Sequence, residues 1–325
     1  EVVVHAVDLH RGHALHPTRR KLVADGARSR EEVEDIARLE LHQVAEDIKE
    51  DYPNVIIDTL AYKYTRKAPT KTVPRDNVCI RLCSIECHFN HPLTTEGCDV
   101  CSAFRDDMVA WSKICNNIYV WDYTTDFSYY LSFFPNLHTI RENMQFFADH
   151  NVKGMFEQGN GQGPSGEFGE LRSYLLAKLM MNPYMSAEEY DAHMDEFLAA
   201  YYGAGWQNIR KYIDQLSKFA LEGPGHTIYH APFTAVSEYL YRAMEYGLNK
   251  CWKDAEAQAG DRIEYVKRSR LHWRYMQLML KPDAEKALKL VEEVEGLGMA
   301  WREGKYHVNK EETQFHKGPG MWVYY

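Results

Sequence analysis

Short apolar runs alternate with longer amphipathic stretches through the first half of the chain. Val2–Asp8 (VVVHAVD) is rich in β-branched residues and reads as a buried strand. The runs Asn54–Tyr62, Val78–Ile85, Asn117–Tyr123 and Val152–Glu157 repeat that character. Helical periodicity fills the gaps. Ser29-Arg-Glu-Glu32 has the form of a capping box, and Val33, Ile36, Leu39, Val44 and Ile48 follow at helical spacing. That helix is expected to run to about Asp51, with Pro53 ending it. Further helices are predicted over Ser102–Cys115 and Leu137–His150. Strands that alternate with helices predict a parallel α/β sheet or barrel.

From about Glu170 the pattern becomes wholly helical. Ser186-Ala-Glu-Glu189 is a second capping box, and Tyr190, Met194, Phe197 and Tyr201 follow on one face. Gly203 and Gly205 should stop that helix. Helices are then predicted at Trp206–Leu221, Ala231–Trp252, Ala255–Leu280 and Asp283–Leu297. The expected organisation is a barrel segment over 1–168 and a helical region packed on it over 169–325.

Composition narrows the partners. A net charge of −9, with no basic stripe to offset it, argues against nucleic acid. No apolar run approaches the roughly 20 residues of a membrane span. With 45% hydrophobic residues among 325, a substantial core is available. The 22 Tyr, 7 Trp and 13 Phe can stack on sugars, but most such rings fill cores.

Three of the apolar runs end on an acid: VCIRLCSIE on Glu86, IYVWD on Asp122 and KGMFE on Glu157. In a (β/α) barrel every strand's C-terminal end points into one mouth, so such acids converge. Neighbouring strands lie about 4.8 Å apart, which puts carboxylates within the separations that glycoside cleavage uses. One carboxyl must be held neutral to protonate the leaving oxygen, and the other must stay ionised. Glu157, after Met155 and Phe156, is the expected acid; Glu86 or Asp122 is the expected base or nucleophile. Asp8, Tyr62, Trp121, Tyr123, His88 and His91 are the candidate substrate-binding residues. Alternation along a strand turns Trp121 and Tyr123 away from Asp122. Arg81 is the one strand-borne arginine that would favour an acidic sugar. The glycine-rich stretch 159–169 lacks the GK[ST] ending of a phosphate-binding loop and reads as a rim.

Seven cysteines, an odd number, sit poorly with a disulfide-built scaffold. Cys98-Asp-Val-Cys101 has the spacing of a zinc half-site, which Cys83 or Cys87 would complete. Against that, cysteines within a strand commonly serve as small apolar side chains. No cofactor is implied by any motif.

Six stretches resemble one family: LAYKYTRKAP, PRDNVCIRLCSIECHFNHPL, IYVWDYTTDFSYYLSFFPNL, VKGMFEQGN, ELRSYLLAKLMMNP and FLAAYYGAG. Together they are similar to the bacterial domain of unknown function 4838 family. That resemblance implies a glycosidase-like (β/α)8 TIM-type barrel, akin to those of α-glucuronidases and β-hexosaminidases, with a C-terminal helical region. It implies that the chain carries the fourth to eighth barrel strands and lacks the first ones. Where the family has an Asn-Asp pair followed by close-set cysteines, this chain has Val7-Asp8 and no cysteine over 10–30, which removes support for Asp8. The resemblance suggests a periplasmic or extracellular setting. The expected activity is hydrolysis of a complex or acidic glycan. The alternatives are a carbohydrate-binding barrel without catalysis, or a metal-dependent hydrolase using His88, His91 and the cysteines. Open strand edges are adhesive, so an incomplete barrel is expected to need a partner chain or a second copy of itself.

Overall fold

Residues 78–83 (VCIRLC) are apolar on nearly every side chain, and that pattern suits a strand covered on both faces. The computed structural model describes residues 5–8, 30–160 and 167–304. Its sheet has five strands in sequential order: β1 (His5–Asp8), β2 (Val55–Ala61), β3 (Val78–Cys83), β4 (Ile118–Tyr123) and β5 (Val152–Gln158). Strands β2 to β5 form a parallel four-stranded sheet. The intervening helices are α1 (Arg30–Asp51), α2 (Asp99–Ser112) and α3 (Ile140–Asp149). The chain is therefore an α/β protein; among the described residues the five strands lie in sequential order and do not make a complete barrel.

One strand runs against expectation. β1 pairs antiparallel with β2, with His5 opposite Asp58 and Asp8 opposite Val55. A parallel barrel strand in that place would run the other way. A β-branched run has the same composition in either direction, so the sequence pattern carries no information about polarity.

The residues form two compact units that interleave along the chain. The first comprises 1–86, 99–122 and 146–157, and holds nearly all of the sheet. Its core includes Ile57, Ile80, Leu82, Ile118 and Val120, all almost wholly excluded from water. Each such side chain contributes about 1.5–3 kcal/mol by burial. Phe104 of α2 meets Phe147 edge-on, with ring centroids 6.3 Å apart.

The second unit comprises 87–98, 123–145 and everything from 158 onward. Among the described residues its α-helices are α4 (Gly169–Met181), α5 (Ala187–Tyr202), α6 (Trp206–Leu221), α7 (Glu238–Gln258), α8 (Ile263–Leu280) and α9 (Ala284–Gly296). The Ser186 capping box forms as expected, with Ser186 Oγ accepting from the Glu189 amide at 3.1 Å. Phe168, Tyr212 and Trp252 are buried around His272, with Trp273 against Tyr212 and Tyr241 against Trp273. Arg172 is buried in this unit, donating to Glu167 at 2.7 Å and to Asn136 at 2.6 Å. Burial raises the Glu167 carboxyl pKa, and the Arg172 charge opposes that rise.

Neither unit is continuous in sequence. Segments 87–98 and 123–145 leave the strand-bearing unit and belong to the helical one. Backbone hydrogen bonds anchor them there, among them Phe89 N–H to His226 O at 2.8 Å and Phe127 N–H to Ile228 O at 2.8 Å.

Candidate active site

Alternation fixes which side chains at the ends of β3, β4 and β5 share a face. On one face Trp121 meets Phe156 edge-on, with centroids 4.9 Å apart. Asp122 and Glu157, one residue further on, therefore project together from the other. The parallel register places Cys83 opposite Trp121, and the Ser84 amide donates to the Trp121 carbonyl at 3.2 Å. Ser84 thus comes level with Asp122, and its hydroxyl donates to Asp122 Oδ1. Ser84 and Asp122 are buried, at 1% and 6% exposure.

Glu157 is partly buried. Its carboxyl pKa is held well above the usual range, first by burial and second by the negative charge of Asp122. Two neighbouring carboxyl groups resist losing both protons, and in this pair it is Glu157 whose pKa is raised. Donation from Ser84 favours the ionised form of Asp122. The two carboxyl groups thus stand in different surroundings, Asp122 accepting from Ser84 and Glu157 with its pKa raised.

Glu86 stands apart from that pair in its interactions. It is exposed, and its carboxylate accepts from Arg66 Nη1 at 3.0 Å. The same guanidinium, almost wholly buried, donates through Nε to Asp107 at 2.7 Å and lies over the Phe104 ring. Glu86 is one wall of an ion-pair network around Arg66. Arg81 is likewise committed, to Asp58 at 2.8 Å.

The remaining sequence-derived candidates separate. Asp8 lies opposite Val55, the first residue of β2, and so at the end of the sheet away from the strand ends that carry Asp122 and Glu157. Tyr62 follows β2 at the start of a 3-10 turn, with Lys63 Nζ 5.2 Å from its ring centre. Trp121 shares its face with Phe156, opposite the carboxylates. Tyr123 is buried, edge-on to Phe89 and Phe127.

His88 and His91 come together with Cys98 in the second unit. The donor atoms of the three lie within 4.8 Å of one another, and His88 Nδ1 is 3.3 Å from Cys98 Sγ. Cys83, Cys87 and Cys101 do not join this group among the described residues. Cys79 and Cys83 are core thiols, and burial pushes both pKa values up to about 12. All seven cysteines are unbridged.

Sequence reasoning missed Ser84, Arg66 and His230. A serine or arginine beside a strand carries no signature until the strands are paired, and His230 enters only through the fold of a loop.

The sequence matches the family described as "domain of unknown function (DUF4838)" over residues 35–214, more than half of the chain. The chain belongs to that family. The match spans the strand-bearing unit from α1 onward, Asp122 and Glu157 included, and runs into α6. No curated protein and no solved structure matches the chain. Among the described residues, no helix is long and apolar enough to cross a membrane.

Proposed function

We propose that this DUF4838 protein hydrolyses a glycosidic bond, with Glu157 as general acid and Asp122 as nucleophile or base. The observation that carries this reading is the asymmetric carboxyl pair. The Glu157 carboxyl pKa is raised by burial and by Asp122, while Asp122 accepts a hydrogen bond from Ser84. The protonated acid would donate to the departing oxygen, and the anion would attack the sugar or activate a water. The four parallel strands β2 to β5 would belong to a TIM-type barrel, whose chemistry gathers at the C-terminal strand ends. Both acids stand at such ends.

Glu86 is excluded from this assignment, because its carboxylate is held by Arg66. Arg81, paired with Asp58, gives no preference for an acidic sugar, so the substrate class is a glycan without further restriction.

A panel of neutral and acidic glycans, assayed for released reducing ends, tests the proposal. Wild-type protein is expected to cleave at least one of them, and Glu157→Gln to lower the rate by about 10²- to 10⁴-fold. Glycan binding without product would instead mark a non-catalytic carbohydrate-binding protein. Full activity in Glu157→Gln would overturn the acid assignment.

A further inference from the structure

We propose that His88, His91 and Cys98 bind one transition-metal ion of the zinc class, at a site independent of the carboxylate pair. Two imidazoles and a thiolate form a borderline-soft donor set, which suits zinc and its neighbours and not magnesium or calcium. Zinc–sulfur and zinc–nitrogen bonds of about 2.3 and 2.0–2.1 Å in a tetrahedron place donor atoms about 3.3–3.6 Å apart. His88 Nδ1 and Cys98 Sγ already stand at 3.3 Å, and no pair in the group exceeds 4.8 Å. Small side-chain rotations close the remainder.

The loop that carries the two histidines is held firmly. Between them, Asn90 is fully buried, and its amide donates to the carbonyl of Ala220 at 2.8 Å and of Pro224 at 3.2 Å. Asn90 Oδ1 accepts from the His226 amide at 2.9 Å. His91 Nδ1 lies 3.1 Å from the Pro92 carbonyl. Donation there fixes the tautomer with its proton on Nδ1 and leaves the Nε2 lone pair for a metal, as a supporting shell does. On the other side, the backbone at Gly225 presses on the His88 ring. A Cβ there would fall 2.0 Å from the imidazole. Only glycine permits this approach, which pins the ring beside Cys98.

A second imidazole pair backs the cluster. His226 is fully buried, with no hydrogen-bond partner for either ring nitrogen among the described residues. Its ring centroid lies 5.6 Å from that of His230. His230 Nδ1 accepts from the Thr227 amide at 3.2 Å, which places its own proton on Nε2. Its Nδ1 lone pair is thereby engaged, and it does not join the three donors. The fourth position falls to solvent, the arrangement of sites that exchange a ligand. On binding, the Cys98 thiol releases one proton to solvent and its sulfur bonds the ion as thiolate.

Chelator-treated full-length protein, titrated with Co²⁺ and followed by thiolate-to-metal charge-transfer absorption, tests the site. We expect one equivalent to bind with that band, and Zn²⁺ to bleach it. Cys98→Ser should abolish the band, and His91→Ala should weaken binding about 100-fold or more. Cys101→Ser and Glu157→Gln should keep both, which separates this site from the carboxylate chemistry. Absence of a band in folded wild-type protein overturns the proposal, as does a band that survives Cys98→Ser. If chelation unfolds the chain, the Tm gained on adding Zn²⁺ replaces the band. A gain in wild type but not in Cys98→Ser supports the site, and equal gains overturn it.

Discussion

The hydroxyl of Ser84 donates a hydrogen bond to the carboxylate of Asp122, and water is excluded from both. A hydrogen bond to a charged group is worth about 1.5–3 kcal/mol, and here it acts on the ionised form alone. Removing it should make Asp122 harder to ionise. In Ser84→Ala the acidic limb of the pH–rate profile is expected to move up by about 1–2 pH units, since one unit corresponds to 1.36 kcal/mol. An unchanged limb with reduced kcat would assign Ser84 to packing alone.

Glu157 has the opposite linkage. Its carboxyl is raised in the folded state, so folding takes up a proton once pH exceeds the unfolded value of about 4.3. Stability from this group is thus highest in acid and falls as pH rises toward the folded pKa. Glu157→Gln, which cannot ionise, should be at least as stable as wild type at neutral pH, with an advantage that shrinks on going down to pH 4. Thermal melts across that range check the sign; a variant less stable at pH 7 than at pH 4, relative to wild type, contradicts it.

Arg66 and Glu86 discriminate structure from chemistry. Arg66→Met would leave Asp107 without its guanidinium, at a cost of about 3 kcal/mol by urea unfolding. Glu86→Gln loses an exposed partner and should cost under about 1 kcal/mol. Turnover in Glu86→Gln should stay within a few-fold of wild type. A collapse of activity there, with the fold intact, would return Glu86 to the catalytic pair.

His272 provides a pH prediction in the helical unit. It lies buried among Phe168, Tyr212 and Trp252, and burial lowers its pKa to about 3. The unfolded imidazole takes up a proton below about pH 6.5, while the folded one does not, so stability falls as pH drops from 6.5 toward 3. His272→Phe should lose about 1.4 kcal/mol less per pH unit over that window. Urea midpoints at pH 7 and pH 5, for both proteins, measure the difference.

Much of the architecture was legible because the signals were local. The Ser186 box and the helix Trp206–Leu221 are written in adjacent residues, and both form as read. The four strands β2 to β5 were visible as apolar runs between helices. Boundaries that depend on distant packing were not. The helix expected from Ala231 begins at Glu238, because Ser237 caps it, its hydroxyl accepting from the Leu240 amide at 3.3 Å. The helix expected from Ala255 begins at Ile263, because Gly260 takes a φ of +56° and breaks the run. At the candidate site, Asp122 and Glu157 were readable as acids on strand ends. The polarity of β1, the Ser84 hydroxyl and the Arg66 ion pairs required the register. The cysteine spacing suggested Cys98 with Cys101, whereas the fold sets Cys98 beside His88 and His91.

The interleaving of the two units has a practical bearing on any attempt to dissect the protein. The backbone passes between them five times before residue 160, after Glu86, Cys98, Asp122, Gln145 and Glu157. Severing the chain at 168 would therefore leave the amino-terminal piece trailing two segments that have lost their anchoring scaffold, and the carboxy-terminal piece missing the strands of polypeptide that fill it. Neither fragment would be self-sufficient.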